Sequence, residues 1–227
     1  MKKAVISLGG SLIIPESVDF KFLNKFRTTL KKHYSHCKFI VVCGGGTIAR
    51  RYIDALKKEH RSKNELSLVG IRTTRMNALF MTQFFGKEAN STLPKNIKEV
   101  KNMLEKNKVV LCGALRYSPN ATSDTTAAKI AHEIGTDFIN ITNIDGLYSK
   151  NPKKNKDAVF IKRESWEKFH SRAIKIKHRP GQHFVLDQTA AIIIKKYRIK
   201  TYIIGKNLKN LDAILHNKKF KGTLIAG

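Results

Sequence analysis

A buried strand that runs into consecutive glycines and then into a helix is the feature that most constrains the fold of this chain. Residues 39–43 are five apolar amino acids rich in β-branched types, which is typical of a buried strand. Residues 44–46 are all glycine and allow a sharp turn, and a helix that carries Arg50 about one turn in is predicted to begin there. The first N–H groups of a helix have no partner within it, so this junction predicts an anion site to which Arg50 adds a charged donor. A glycine cluster alone is equally compatible with a simple tight turn.

A second junction of the same kind opens the chain. Residues 3–8 form an apolar run that ends in Gly9, Gly10 and Ser11, which again place backbone amides and a hydroxyl where a strand stops. Residues 20–32 carry apolar side chains at helical spacing and predict an amphipathic helix. Strand and helix thus alternate through the first quarter of the chain, which is the pattern of a parallel sheet covered by helices. Two such glycine junctions favour phosphate binding more strongly than one does.

The same patterns predict the elements of the remaining chain. Residues 60–65 are polar and are predicted as a loop, whereas residues 66–85 carry many large apolar groups and are predicted as a long helix that contacts the core or, in addition, a partner subunit. Further predicted elements are helices at residues 97–105, 127–134, 187–197 and 208–215 and strands at residues 108–111, 138–142, 200–204 and 222–225. The lysine-rich segment 157–183 is weakly patterned and yields no assignment.

The formal net charge of +27 admits nucleic-acid binding, an anionic substrate or a lysine-rich solvated surface. Of the 44 basic residues 11 are arginine, and the lysines are spread over every predicted helix. Planar, bidentate recognition of phosphates and bases favours arginine, so we favour a solvated surface and expect no nucleic-acid partner. The positive field still draws in nucleotides.

Other compositional signals narrow the class of protein. No apolar stretch approaches the roughly 18 residues of a membrane span and the N-terminus lacks a signal-peptide core, so we expect a cytoplasmic protein without membrane contacts. Cys37, Cys43 and Cys112 lack CxxC spacing, which argues against a disulfide or a zinc site. His33 and His36 stand at a predicted helix end without a nearby cysteine or carboxylate cluster, so no metal-ligating residue is expected.

Polar residues follow two later strands. Residues 122–126 place four hydroxyls around Asp124 just before an apolar helix, where they either cap that helix or bind a polar substrate. Thr142, Asn143, Asp145 and Tyr148 come at the end of the strand at residues 138–142, and the aromatic ring is placed to stack on a base. Ligands of open α/β sheets lie outside the carboxyl ends of the strands, so both groups are expected at the same edge as the glycine turns.

Several motifs run in order along essentially the whole chain. They are Leu8-Gly-Gly-Ser11, three glycines followed by Ile48-Ala-Arg50, Asp124 ahead of an alanine-rich helix, Ile141-Thr-Asn-Ile-Asp-Gly-Leu-Tyr148 with Asn151-Pro152-Lys-Lys, Lys200-Thr-Tyr-Ile-Ile-Gly205, and Gly222-Thr223. This series resembles the amino acid kinase superfamily and, within it, the archaeal type of uridylate (UMP) kinase. The resemblance implies an α/β fold, a three-layer αβα sandwich with a mainly parallel central sheet. It implies one domain over residues 1–227, with an acceptor-binding half at about 1–135 and an ATP-binding half at about 136–227.

The resemblance also implies an activity and a set of site residues. Such kinases transfer the γ-phosphoryl group of ATP to UMP to give UDP, with Mg²⁺, and are commonly cytoplasmic homohexamers. By resemblance, Arg50 and Asp124 are the catalytic residues. The implied ATP-binding residues are Gly9, Gly10, Ser11, Gly45, Arg50, Thr142, Asn143, Asp145, Tyr148 and Asn151, with Lys153 or Lys154 near the phosphates. The implied UMP-binding residues are Gly44, Ser67, Gly113, Thr122, Ser123, Asp124 and Thr125.

The acceptor half departs from the family pattern more than the ATP half does. Ser67 stands where the family carries an aspartate that grips the ribose hydroxyls, three residues before Gly70. The loop at residues 114–123 is longer than usual and lacks its typical glycines, and Gln188 replaces a common proline. Two alternatives therefore stay open, a superfamily kinase with another phosphate or carboxylate acceptor and a nucleotide-binding protein that has lost transfer. Isopentenyl phosphate kinases are disfavoured because they carry a histidine in the region of Arg50.

Overall fold

A computed structural model describes residues 1–115, 122–150, 152, 155–175 and 185–227 of the chain. The strands are β1 (Lys2–Leu8), β2 (Cys37–Cys43), β3 (Val109–Cys112), β4 (Phe138–Ile141), β5 (Leu147–Tyr148), β6 (Phe160–Ile161), β7 (Arg163–Glu164), β8 (Thr201–Ile204) and β9 (Thr223–Ile225). The helices are α1 (Gly10–Ile13), α2 (Phe20–Lys31), α3 (Gly46–Lys58), α4 (Lys63–Phe85), α5 (Ile97–Lys106), α6 (Ser123–Ile134), α7 (Trp166–Ile174), α8 (Gln188–Lys196) and α9 (Lys209–Leu215), with a 3-10 turn at Gly86–Glu88. Among the described residues, no helix has the length and hydropathy that crossing a membrane requires.

Two helices begin earlier than predicted, and one segment holds elements that were not predicted. The predicted loop at residues 60–65 is wrong for its last three residues, because Ser62 and Glu65 form a reciprocal capping box that starts α4 at Lys63. Helix α6 begins at Ser123, so residues 123–126 are its first turn rather than a loop before it. The unassigned segment 157–183 contains β6, β7 and α7, whose short strands give too little periodicity to read.

Seven strands form a central sheet in the order β3-β2-β1-β4-β8-β9-β7. All neighbouring pairs run parallel except β8 and β9, so the predicted mainly parallel sheet is confirmed. From β1 the chain builds outward to β2 and β3 on one side and later to β4 and β8 on the other. Such a reversal of strand order leaves a crevice at the carboxyl ends of the strands, here between β1 and β4.

Helices cover both faces of this sheet, which gives the predicted three layers. Ile6 and Leu8 of β1 face a core built with α2, α4 and α9, whereas Val5 faces a core built with α5, α6, α7 and α8. Each fully buried aliphatic side chain of this kind stabilises the fold by about 1.5–3 kcal/mol. Ser7 breaks the apolar pattern, since it is buried in β1 and its hydroxyl hydrogen-bonds to α6. A buried polar group in a central strand requires a partner and marks the start of the candidate site.

Candidate active site

The two glycine turns that follow β1 and β2 pack directly against each other. A Cβ atom added to Gly10 would lie 2.4 Å from the carbonyl oxygen of Gly44 and 2.5 Å from the amide nitrogen of Gly46. Gly46 has a φ of +60°, and a Cβ atom there would lie 2.2 Å from the carbonyl carbon of Gly10. Side chains are excluded on both sides of this contact, so glycine is required for the turns to meet.

The sequence predicted free backbone amides in both turns. Two of these amides instead donate hydrogen bonds within the protein. The N–H of Gly9 donates to the carbonyl of Ile141 in β4, and the N–H of Gly44 donates to the carbonyl of Leu8, both at 2.9 Å. The start of α3 differs, because its N-cap is Gly45 and no side chain in the described part of the chain caps it. The first N–H groups of α3, together with its dipole, can therefore accommodate an anion at this end of the junction.

Arg50 lies one turn into α3 and carries its charge close to that end. Its Nη2 donates to the Thr47 hydroxyl at 3.2 Å, and burial lowers the pKa of Arg50 while the charge of Asp54 opposes the change. A cation near the N-terminus of a helix opposes the helix dipole, so a bound anion would make the position of Arg50 more favourable. Arg51, the next residue, is exposed.

Helix α4 fixes the glycine turn after β2 and the backbone after β3. The buried Asn77 donates through Nδ2 to the carbonyl of Gly44 at 2.7 Å. The Thr74 hydroxyl accepts the N–H of Ala114 at 2.9 Å, and a Cβ atom on Gly113 would lie 2.7 Å from that hydroxyl. The sequence analysis missed both roles, although small and polar residues repeated at helical spacing inside an apolar helix were a readable signal.

Ser67 lies on the same face of α4 as Thr74 and Asn77. Ser67, Gly70, Thr74 and Asn77 are spaced by three, four and three residues, which places them on one face of a helix. That face meets the glycine turns, since a Cβ atom on Gly45 would lie 3.5 Å from the carbonyl of Gly70. The Ser67 hydroxyl donates to the carbonyl of Lys63 at 2.8 Å, so its proton is engaged while its oxygen keeps acceptor capacity.

Asp124 is held beneath the first glycine turn. The Ser7 hydroxyl donates to its Oδ1 at 2.6 Å, two residues before Gly9. Burial and the neighbouring charge of Asp187 raise the pKa of Asp124 to about 7, against the opposing hydrogen bond from Ser7. A carboxyl group perturbed in this way at a sheet edge is typical of functional sites. Ser7 and Asp187 were not among the predicted residues, because both act through contacts distant in the sequence.

Asp187 binds the hydroxyls that precede and open α6. Its carboxylate accepts the Thr122 hydroxyl at 2.6 Å, the Thr125 hydroxyl at 2.7 Å and the N–H of Ala190 at 2.7 Å, and so caps α8. Thr122 in turn caps α6 by accepting the N–H of Asp124 at 3.1 Å, which confirms the capping interpretation for this residue. The hydroxyl protons of Thr122 and Thr125 are thus used within the protein, and Ser123 is buried beside them.

The residues predicted to bind ATP on the other side of the site follow β4. The turn after β1 abuts them, since a Cβ atom on Gly9 would lie 3.8 Å from the Cα of Thr142. Asp145 accepts a hydrogen bond from Lys221 at 2.6 Å, and this pairing raises the pKa of Lys221. The half-buried ring of Tyr148 packs edge-on against Phe160 at 5.2 Å between centroids. Asn143 is half-buried in the same segment, whereas Asn151, Lys153 and Lys154 lie outside the described residues.

The fold therefore gathers the predicted residues into two groups on either side of β1. The turns at residues 9–11 and 44–46, with Arg50, Ser67 and Gly113, lie on the β2 side, and residues 142–148 lie on the β4 side. Asp124 joins the groups from beneath through Ser7 of β1. Two sets of anionic groups can face each other across this crevice, as a transfer between two phosphates requires.

Comparison with known proteins identifies the family of the chain. The profile of the amino acid kinase family matches residues 2–205. The chain is 33% identical over 226 residues to a uridylate kinase of Thermococcus sibiricus, covering 98% of this chain and 99% of that one. It is 35% identical over 216 residues to a uridylate kinase of Thermoplasma volcanium, covering 94% and 93%. The crystal structure of uridylate kinase from Archaeoglobus fulgidus matches with a TM-score of 0.84 and 32% identity over 100% of both chains. The chain therefore belongs to the amino acid kinase family.

Proposed function

We propose that this protein is a uridylate kinase that transfers the γ-phosphoryl group of ATP to UMP. A phosphate oxygen of UMP forms a bond to the γ-phosphorus, the bond from that phosphorus to the bridging β–γ oxygen breaks, and UDP and ADP are the products. The observation that carries the proposal is the contact between the two glycine turns beside the start of α3, which no side chain of the described residues caps. The similarity to uridylate kinases over nearly the whole chain supports it.

The division of the site follows from the two sides of β1. We assign UMP to the half at about residues 1–135 and ATP to the half at about 136–227, to which the turn after β1 adds phosphate contacts. The proposed UMP-binding residues are Gly44, Ser67, Gly113, Thr122, Ser123, Asp124 and Thr125. The proposed ATP-binding residues are Gly9, Gly10, Ser11, Gly45, Arg50, Thr142, Asn143, Asp145, Tyr148 and Asn151.

Catalysis in this arrangement depends on positioning and charge neutralisation. Phosphoryl transfer needs little covalent help from the protein, so donors fixed before the reaction supply most of the effect. Arg50 and the amides at the start of α3 contact the γ-phosphoryl group of ATP and hold it toward the acceptor phosphate of UMP, and Asn77 keeps the turn after β2 in place. Asp124, fixed by Ser7, organises the polar groups at the reaction centre.

The donor chemistry of the site fits Mg²⁺ brought in with ATP. Mg²⁺ is usually bound by substrate phosphates, waters and one or two carboxylates, all of them oxygen ligands. The Asp124 carboxylate accepts the hydroxyl of Ser7, two residues before the turn that follows β1, and we propose that Asp124 would hold the ion. When bound, Mg²⁺ neutralises charge on the phosphates.

A steady-state assay with ATP and a panel of acceptors tests the function. The panel contains UMP, the other nucleoside monophosphates, isopentenyl phosphate and small carboxylic acids, and the readout is ADP formation. We expect the highest kcat/KM with UMP. A higher value with another acceptor would replace UMP, and nucleotide binding without ADP formation from any acceptor would favour a protein that has lost transfer.

We further propose a cytoplasmic homo-oligomer, with a hexamer as the expected state. Leu68, Met76 and Leu79 project from α4 with 37%, 65% and 41% of their surface exposed, and exposed apolar residues grouped on one helix favour an interface. Light scattering coupled to size exclusion measures the mass in solution. A Met76→Asp variant is expected to lower it, and a wild-type monomer would contradict the assignment.

A further inference from the structure

A cluster of titratable side chains lies at the edge of the sheet opposite the candidate active site. His33 follows α2, and its carbonyl accepts the N–H of Cys37, where β2 begins. Asp212 lies in α9, and His216, four residues further on, is the C-cap of that helix. The sequence around His33 holds no cysteine or carboxylate cluster, but the fold brings one carboxylate, that of Asp212, into direct contact with it from 179 residues further along the chain.

The distances within this cluster suit a small metal ion. His33 Nε2 lies 2.9 Å from Asp212 Oδ1, and His216 Nδ1 lies 3.7 Å from Asp212 Oδ2. One ligand atom from each residue lies within 4.8 Å of the others. Tetrahedral Zn²⁺ with bonds of about 2.0–2.1 Å places its ligand atoms about 3.3 Å apart, so small side-chain movements suffice.

The burial of the three residues leaves room for a water ligand. His33 is fully buried, whereas the Asp212 and His216 side chains are 40% and 46% exposed. An ion can therefore enter from solvent and rest on a fixed imidazole at the base. Three protein ligands with a water in the fourth position is an established zinc geometry.

A neighbouring histidine, His36, can change which ring nitrogen of His33 carries the proton. His33 Nδ1 lies 3.2 Å from His36 Nε2, and His36 Nδ1 lies 3.2 Å from the Ser35 hydroxyl. With Asp212 ionised, His33 donates from Nε2 and accepts at Nδ1 from His36. If the protons on both rings move to Nδ1, His33 Nε2 gains a free lone pair and His36 donates to Ser35, without any change in charge. A hydrogen-bond partner on the other ring nitrogen usually fixes the tautomer of a metal-ligating histidine.

We propose that His33, Asp212 and His216 form a binding site for a divalent transition-metal ion of the Zn²⁺ class. Two imidazoles and one carboxylate favour Zn²⁺, Co²⁺ or Ni²⁺ over Mg²⁺, which prefers oxygen ligands alone. His216 ligates through Nδ1 once its proton, now donated to the Asp212 carbonyl at 3.0 Å, has moved to Nε2. The bound ion links the end of α2 to α9 and stabilises that contact.

Calorimetric titration of untagged, chelator-treated protein with Zn²⁺ tests the site. We expect one equivalent bound by the wild type, and at least tenfold weaker binding by His216→Ala and by Asp212→Asn. His170→Ala removes a histidine on α7 and serves as the matched control, with wild-type affinity expected. The folded state of each variant is verified by its thermal transition, and the exposed His216 is preferred over the buried His33 for this reason.

Two further readouts separate a defined site from surface binding. Co²⁺ should give the visible absorption of a tetrahedral site in the wild type and lose it in His216→Ala. Zn²⁺ at about a hundredfold excess over Kd should raise the melting temperature by about 5–10 °C in the wild type, with no such rise for Mg²⁺. Absence of binding by the wild type, unchanged affinity in His216→Ala, or equal loss in His170→Ala would each overturn the proposal.

Discussion

Replacement of Arg50 by alanine tests the proposed anion site with a matched neighbour in the same helix. Arg50 is half-buried at the start of α3, and among the described residues its guanidinium donates to the neutral Thr47 hydroxyl, so its charge is available to a phosphate. A hydrogen bond to a charged group contributes about 1.5–3 kcal/mol, which corresponds to a factor of about 10 to 150 in rate. We therefore expect Arg50→Ala to lower kcat/KM for UMP by at least about tenfold.

Arg51→Ala removes the same charge from the exposed position beside it and is expected to keep wild-type kinetics. Arg50→Lys keeps the charge but loses the planar fork, so its activity should fall between the two alanine variants. The assay is initial-rate kinetics at fixed saturating ATP and varied UMP, with equal folding checked by thermal denaturation. Equal kcat/KM for Arg50→Ala and Arg51→Ala would refute a role for Arg50 at the γ-phosphoryl group.

Three further variants probe the rest of the site. Asp124 has a pKa raised to about 7 from an ordinary value near 3.8, so its contribution to stability is complete below pH 4 and is lost as the pH rises through 7. Between pH 5 and pH 8 the unfolding free energy of Asp124→Asn should therefore rise by about 2–3 kcal/mol relative to that of the wild type, while the variant loses turnover. A difference between the two proteins that does not change with pH in denaturant titrations would contradict this. Gly46→Ala should abolish turnover and lower the melting temperature more than Gly135→Ala, since both have positive φ but nothing lies within 4 Å of a Cβ on Gly135; equal effects would mean that the turns do not meet. Ser67→Asp should lower KM for UMP by about tenfold, because a carboxylate adds a charged hydrogen-bond acceptor on this face of α4, whereas Ser67→Asn should leave KM unchanged. An unchanged KM in Ser67→Asp would place the ribose elsewhere.

The central strands, the helices that follow them and the glycine turns were predictable because their signals are local. The five apolar residues before Gly44 fix a buried strand, and parallel pairing then brings the ends of β1 and β2 to one edge. The sequence also placed Asp124 near the start of an apolar helix, although that helix begins at Ser123 rather than after Thr126. Only the packing shows that Gly10 and Gly46 touch, because that contact depends on the register between two strands.

The residues that sequence reasoning missed act through long-range contacts. Ser7 meets Asp124 from 117 residues away, and Asn77 reaches Gly44 from 33 residues away. Nothing in the neighbourhood of a serine inside an apolar strand reveals its partner. The start of α4 was predictable from a local signal, since Ser62 is followed three residues later by Glu65, the pattern of a capping box. The polar character of residues 60–65 led instead to the prediction of a loop.

The central claim is that the two glycine turns, with Arg50, hold two facing sets of phosphates across the crevice beside β1. Calorimetric titration with a bisubstrate analogue, adenosine joined to uridine through five phosphates, measures this directly. We expect one analogue bound per chain, about a hundredfold tighter than ATP or UMP alone, because both halves are engaged at once. An affinity no greater than that of the tighter single nucleotide would contradict it.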